Sequence, residues 1–552
     1  MKATTQADAA PRASVAPPRR LDALVIGAGF SGLYMLKQLR DKLGLKAKVF
    51  ERGHGVGGTW YWNRYPGARC DSDCYIYCYT HDRALLQEWN WSERYPEQPE
   101  ILRYLEHCAD RFDVRRDIEF GKTVVSTVYD EATKLWTVRT ADGETVTARY
   151  VIAAVGSLSA TNVPPFPGLE TFKGRAYHTS QWPHEGVDFT NKRVGVIGTG
   201  ATAVQAIPEI AQQARHLTVF QRTPNFCVPA RNGKVDPEVM KARKANYEQV
   251  VQNIRSSFFG FELSFIPKSV LETTPEEREA EFDRMWYEGG FAFWLANYQD
   301  MFFDKKANDV ISDYLKRKIR ATVRDPEVAE RLIPRTYAYG TKRQPLDTNY
   351  FETFNKPNVK LVDAAADGPI EAITENGVRA GGKAYPLDII VIATGFDAMT
   401  GPLKKLGIQG RGGRSLAALW EDGPETYLGL MVAGFPNLFT VTGPQSPSVL
   451  SNMPVSIEQH VEWITDCIAH LQSRGLTTIE ATPEAQAGWV AHVAEIVGMT
   501  LMPGANSWYM GANIPGKPRK FLPYLGLEGV GGYRKKCAEV AAQGYEGFTL
   551  ST

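Results

Sequence analysis

Apolar and polar positions along the chain fall into two blocks of the same kind. The first opens with the short apolar run of DALVIGAGF, which ends in glycines and predicts a buried strand followed by a tight turn at Gly27. SGLYMLKQLR then carries helical spacing and KAKVFER returns an apolar run, so this stretch predicts a strand–helix–strand unit. Downstream, KRVGVIGTG, ATAVQAIPEIAQQA and HLTVFQR repeat the series. Between the blocks, RYVIAAVG predicts a strand leaving the first unit and the Pro-rich NVPPFPGL a linker. PLDIIVIATGFDA predicts a further strand, through which the chain returns to the first sheet. Asp236 to Pro334 switches to helical periodicity, rich in Lys, Glu, Arg and aromatics. There Thr274, Pro275 and Glu277 predict a capped helix start, and Asp325-Pro326 repeats the signal.

The pattern predicts an α/β protein with two Rossmann-like dinucleotide-binding domains. The second is inserted in a split first domain and carries a helical subdomain. The expected boundaries are a disordered leader at 1–20, the first domain at 21–155 and 388–552, and the inserted domain at 156–387, with its helices at about 236–334. A length of 552 residues exceeds what one core supports, since domains cluster near about 100–150 residues. Apolar residues at 43% and charged residues at 23% fit an ordinary packed protein. A net charge of +1 gives no global field for nucleic acid or anionic membrane. No apolar run reaches the roughly 18 residues of a membrane-spanning helix, and no signal-peptide core is present. Seven cysteines, an odd and sparse set, predict reduced thiols and a cytoplasmic location. Cys70, Cys74 and Cys78 recur every fourth residue, but without a C-x-x-C or an adjacent His the spacing of a zinc site is missing. The same absence weakens a disulfide-reductase reading.

The two units end in opposite charges. In the first, Gly27 permits the tight turn, Gly29 lets backbone approach a pyrophosphate, and Gly32 allows helix and strand to pack closely. Phe30 and Ser31 open the helix whose free N–H groups face phosphate. Glu51 stands where a carboxylate bonds ribose hydroxyls, which suits FAD and would repel a phosphorylated ribose. The second unit offers Gly198, Thr199, Gly200, Ala201, Thr202 and Ala203, with Gln205 further along the helix. It ends in Gln221-Arg222-Thr223, and a permanently charged fork there fits the extra phosphate of NADPH. The alternative for Arg222 is a pair with a surface carboxylate.

Three further segments bear on the reaction. Phe172, Gly174, His178, Trp182 and Pro183 form F-x-G-x-x-x-H-x-x-x-W-P directly before the second unit. GGTWYWNRYPGARCD runs from Gly57 to Asp71, and KRQPLD at Lys342-Arg343 joins SWYMGANIPGKPR at Trp508. From Leu21 to the C-terminus the chain resembles the type I Baeyer–Villiger monooxygenases. It looks closest to their phenylacetone and steroid branches, with cyclohexanone-type enzymes as broader relatives. Ala201-Thr202-Ala203 departs from the Ser-Ser-Gly that close relatives often carry.

The resemblance implies that NADPH reduces the flavin, O2 adds to give a flavin peroxide, and this attacks a ketone to yield an ester or lactone. It implies that Arg343 supplies the fixed positive charge for the anionic peroxide and that Asp71 holds Arg343. It further implies that Lys342 reaches the NADPH phosphate and that Trp508 engages the nicotinamide ribose as a mobile loop closes. Thr59, Trp60, Tyr61, Trp62, Tyr77 and Met453 match positions lining the flavin. His178 matches a position that couples the domains and is not read as a general base. The expected partners are a small ketone and O2, with no nucleic acid or membrane, for a monomer or weak homo-oligomer. Sulfoxidation is an expected side activity. Rival readings are a flavin-containing N- or S-oxygenase and a non-oxygenating flavoprotein reductase.

Overall fold

The computed structural model describes residues 18–552. The expected leader lies outside the described residues as far as position 17. Its last two residues belong to the fold, because β1 (Arg19–Ile26) pairs with a neighbour already at Arg19↔Val146 and Arg20↔Thr147. After β1 come α1 (Phe30–Lys37), β2 (Ala47–Glu51) and β3 (Ile118–Phe120), then the antiparallel run β4 (Val124–Asp130), β5 (Leu135–Thr140) and β6 (Thr145–Ala153). β1 lies parallel between β2 and β6, with Val25 level with Val49 on one side and Ile152 on the other. Ala23 and Val25 enter one apolar layer, and Leu24 and Ile26 the opposite one. A strand covered on both faces therefore reads as an unbroken apolar run.

A second, all-parallel sheet follows, built from β7 (Arg175–His178), β8 (Arg193–Ile197), β9 (His216–Gln221), β10 (Val359–Asp363) and β11 (Ile389–Ile392). Their order is β10-β9-β8-β11-β7, and α2 (Ala201–Gln213) connects β8 to β9. The strand in PLDIIVIATGFDA is thus not the return to the first sheet. As β11 it pairs with β8 and β7 and fills the place that β6 holds beside β1. The chain rejoins the first sheet only at β12 (Ile408–Gln409), on β4, and at β13 (Leu438–Thr440), on β6.

The chain crosses between the sheets twice, and the crossings are bonded to each other. Asn162 N–H donates to Gly395 O at 3.2 Å, Asp397 N–H to Ala160 O at 2.9 Å, and Met399 N–H to Ser157 O at 2.8 Å. Thr394 Oγ1 donates to Asn162 O at 2.6 Å, and His178 Nε2 lies 3.2 Å from the same carbonyl. The other ring nitrogen of His178 accepts from Ser180 N–H at 3.1 Å, which leaves the proton on Nε2 to bond Asn162.

The helical region contains the expected capping box: Glu277 N–H donates to Thr274 Oγ1 at 3.2 Å and Thr274 N–H to the Glu277 carboxylate at 3.0 Å. Phe282, Phe293 and Tyr314 share a core with Leu33 and Met35 of α1, whereas Ile319 and Leu332 pack on the second sheet. No helix among the described residues is long and apolar enough to cross a membrane.

Candidate active site

Both nucleotide turns open into one cavity of about 890 Å3. Gly27 sits at φ +108°, and a Cβ there would stand 2.5 Å from Ala154 O. Gly198 repeats this at φ +113°, with Ala393 O at 2.4 Å. An L side chain fits neither the dihedral nor the space. A Cβ on Gly32 would meet Gly27 O at 1.8 Å, so Gly32 lets α1 pack onto its own turn, and fully buried Ala203 occupies the matching place in α2. Neither residue lines the cavity. Gly29, Phe30 and Ser31 do, as do Thr199, Gly200, Ala201, Thr202 and Gln205. Both helices start without a side-chain cap, which leaves first-turn N–H groups free for an anion.

The strand ends differ as the sequence indicates. Buried Glu51 accepts from Ala28 N–H at 2.8 Å and Gly53 N–H at 2.7 Å. A carboxylate has about four acceptor positions, so this fixes it and leaves capacity for hydroxyls. At the end of β9, Gln221 is buried and donates to Arg331 O at 2.8 Å, while Arg222 and Thr223 line the cavity. Lys342 lies near Arg222, its ammonium 4.2 Å from the Tyr337 ring centroid. Burial, together with the charge of Arg222, pushes Lys342 down to about 8. Among the described residues neither cation has a carboxylate within 4.0 Å. The surface-carboxylate alternative for Arg222 therefore has no partner here. Two like charges close together repel each other, and a nearby anion relieves that repulsion.

Arg343 lies where the two halves meet. Its Nε and Nη2 donate to Asp71 Oδ2 at 3.0 and 2.8 Å, and its Nη1 donates to Val449 O at 3.0 Å. Burial works against its charge, but the Asp71 carboxylate and Tyr509 outweigh this and hold the guanidinium above the ordinary arginine value. Arg343 and Asp71 both face the cavity, as do Thr59, Trp60, Trp62, Tyr77, Met453 and Trp508. The Tyr77 hydroxyl accepts from Trp60 Nε1 at 3.1 Å, and its ring meets Phe30 edge-on at 5.4 Å. Trp508 packs on Tyr509 in a segment tied down by Asn513 Nδ2, which donates to Phe396 O at 2.8 Å, and by Lys517 on Asp397 at 2.6 Å.

A family model for flavin-binding monooxygenase-like proteins matches residues 21–254. A protein named Baeyer–Villiger monooxygenase from Pseudooceanicola batsensis is 46% identical over 529 residues, 95% of both chains. The chain belongs to the Baeyer–Villiger monooxygenases. A second relative of this Baeyer–Villiger monooxygenase, a phenazine N-monooxygenase from Lysobacter antibioticus, is 45% identical over 96% of this chain and 97% of its own. A solved structure of oxidized steroid monooxygenase bound to NADP aligns with TM-score 0.91 at 50% identity, covering 96% of this chain and 99% of that one.

Of the residues that the resemblance assigned to the flavin in this Baeyer–Villiger monooxygenase, Tyr61 does not line the cavity. Thr59–Trp62 is a single helical turn, and successive side chains there point about 100° apart. Tyr61 turns outward, accepts from His54 N–H at 3.1 Å and packs against His184. Other residues at the site carried no signal in the sequence. Asn225 lines the cavity and donates to Thr199 O at 2.6 Å, bracing the second turn. Arg52 also lines it, its guanidinium 4.5 Å from the Trp62 ring centroid. Val449 reaches Arg343 through a backbone carbonyl, which no pattern of side-chain types announces.

Proposed function

We propose that the first turn holds FAD, that the second holds NADPH, and that the enzyme converts ketones to esters or lactones at the Arg343–Asp71 junction. Several features of the cavity fit two dinucleotides. It offers two uncapped helix starts, a fixed carboxylate at one strand end and a cation pair at the other. Ser507 Oγ and Asn513 Oδ1, from two residues that line it, are buried without hydrogen-bond partners. When bound, FAD supplies the ring that takes up two electrons from NADPH and activates O2.

The balance is one atom of O2 inserted beside the carbonyl and the other released as water, with NADPH supplying two electrons and one hydrogen of that water and a proton supplying the other. Glu51 would bind ribose hydroxyls, Arg222 and Lys342 would bind the 2′-phosphate, and Trp508 would engage the nicotinamide ribose. Arg343 keeps a proton on every guanidinium nitrogen and presents positive charge to the developing oxyanion. Such preorganised charge is worth most where water is excluded. Asp71 compensates that charge and fixes its direction. The single observation carrying this reading is the guanidinium clamped by Asp71 and Val449 between the two nucleotide turns.

The phenazine N-monooxygenase relative supports a second reading, oxygen transfer to an aromatic nitrogen. Sulfide oxygenation is a further expected activity. Purified yellow protein is incubated with NADPH, air and a panel of linear, aryl and cyclic ketones, sulfides and phenazines, and products are weighed by mass spectrometry. The expected product is a ketone plus one oxygen, with Arg343→Ala binding flavin but yielding almost none. Normal ester formation by that variant refutes the role of Arg343. Oxygenated phenazine without any ester from ketones favours the second reading.

A further inference from the structure

The face of Arg343 turned away from the cavity is covered by aromatic rings. Its guanidinium carbon lies 4.7 Å from the Phe291 ring centroid and 5.5 Å from that of Trp294, both within the range of cation–π attraction. The rings meet each other edge-on at 5.4 Å and are 3% and 2% exposed. Neither lines the cavity, so neither is placed to touch ketone or cofactor.

The turn that carries Phe291 is bound to the same parts that hold Arg343. Gln344, next to Arg343 in the chain, donates from Nε2 to Gly290 O at 3.3 Å. Arg94 pairs with Asp73, two residues after Asp71, and donates from Nη1 to Glu288 O at 3.1 Å. Gly290 sits at φ +59°, and a Cβ there would lie 1.9 Å from the Tyr95 hydroxyl, so the turn is pressed against the segment following Arg94.

We propose that Phe291 and Trp294, from the helical region, are positioning residues that hold the Arg343 guanidinium in its working orientation through their ring faces. Asp71 and Val449 fix the in-plane directions of the fork, and the rings fix its plane. A desolvated cation is attracted to an aromatic face more strongly than an exposed one, and an aliphatic side chain of similar bulk supplies none of that attraction. Without the rings, Asp71 and Val449 still bind the guanidinium but no longer restrict its tilt. This inference rests on the proposed role of Arg343.

Flavin-loaded Phe291→Leu, Trp294→Leu and the double variant are compared with the ring-preserving Phe291→Tyr and Trp294→Phe. One readout is the division of NADPH electrons between ester and hydrogen peroxide. The other is the crystallographic position of the Arg343 guanidinium. The double leucine variant is expected to shift the division toward peroxide by about tenfold, the equivalent of about 1.4 kcal/mol. The ketone KM is expected to stay within about twofold, because the rings lie behind the guanidinium. The guanidinium should tilt out of its parental plane or occupy two positions, and the ring-preserving variants should keep the parental division. Parental division with an unmoved guanidinium in the double variant overturns the inference. If the double variant does not take up flavin, each single leucine variant is judged against its ring-preserving partner by the same two readouts. Ester formation by Arg343→Ala would instead remove the underlying reading. Loss of ester there, with parental behaviour in the leucine variants, removes only the present inference.

Discussion

Removing Arg222 tests the nucleotide assignment most directly. Arg222 and Lys342 face the cavity, and neither has a carboxylate within 4.0 Å among the described residues. A phosphate monoester would supply the missing charge. Each charge-assisted hydrogen bond contributes about 1.5–3 kcal/mol, so Arg222→Ala should lower kcat/KM for NADPH roughly ten- to a hundredfold. NADH lacks the 2′-phosphate, and its kcat/KM should change by no more than about twofold. Steady-state kinetics with both coenzymes at fixed pH and low salt provide the comparison, since salt screens these charges. The pH adds an independent signature. Lys342 titrates near 8, so the parental preference for NADPH should narrow as pH rises from 7 to 9. In Arg222→Ala the repulsion on Lys342 is relieved, its pKa rises, and the narrowing should move to higher pH. Equal losses for both coenzymes, or a preference that ignores pH, would refute the reasoning.

Gly27→Ala should yield colourless protein, because its new methyl group meets Ala154 O at φ +108°, whereas Gly198→Ala should stay yellow but lose reduction by NADPH; absorbance spectra before and after addition of NADPH separate the two. Lys342→Met should melt at a higher temperature than the parent at pH 7 without nucleotide. The folded pKa of about 8 lies below the ordinary 10.5, so charged Lys342 costs stability below pH 8, and the cost fades as pH rises toward 10.5. Saturating NADP+ should reverse the order of melting temperatures, which differential scanning fluorimetry can follow.

Much of the architecture was legible because parallel strands buried on both faces leave unbroken apolar runs, as in β1 and β8. What such a run does not encode is its neighbour. The segment at β11 has the form of β6, apolar residues ending in small ones and a glycine, because each backs the nucleotide turn of its own sheet. Likeness of pattern suggested the first sheet for β11, which belongs to the second. Arg19 and Arg20 read as leader because the extension of β1 depends on backbone pairing with β6, which does not require apolar side chains. At the site, the chemistry of Glu51, Arg222, Lys342 and Arg343 follows from residue type and position. Phe291 and Trp294 look like any core aromatics until the fold brings them across about fifty residues of chain to a guanidinium.

The paired crossings between the sheets restrict how the halves can move. A single strand of chain would act as a swivel, leaving each half free to twist and tilt about one point. Two segments laced together, from Ser157 to Asn162 and from Thr394 to Met399, define a line. Rotation about that line disturbs their bonds least, and sliding or twisting across it breaks them. The halves are therefore joined as a door leaf is to its jamb, along a seam rather than at a point, and His178 is bonded into that seam through Asn162 O.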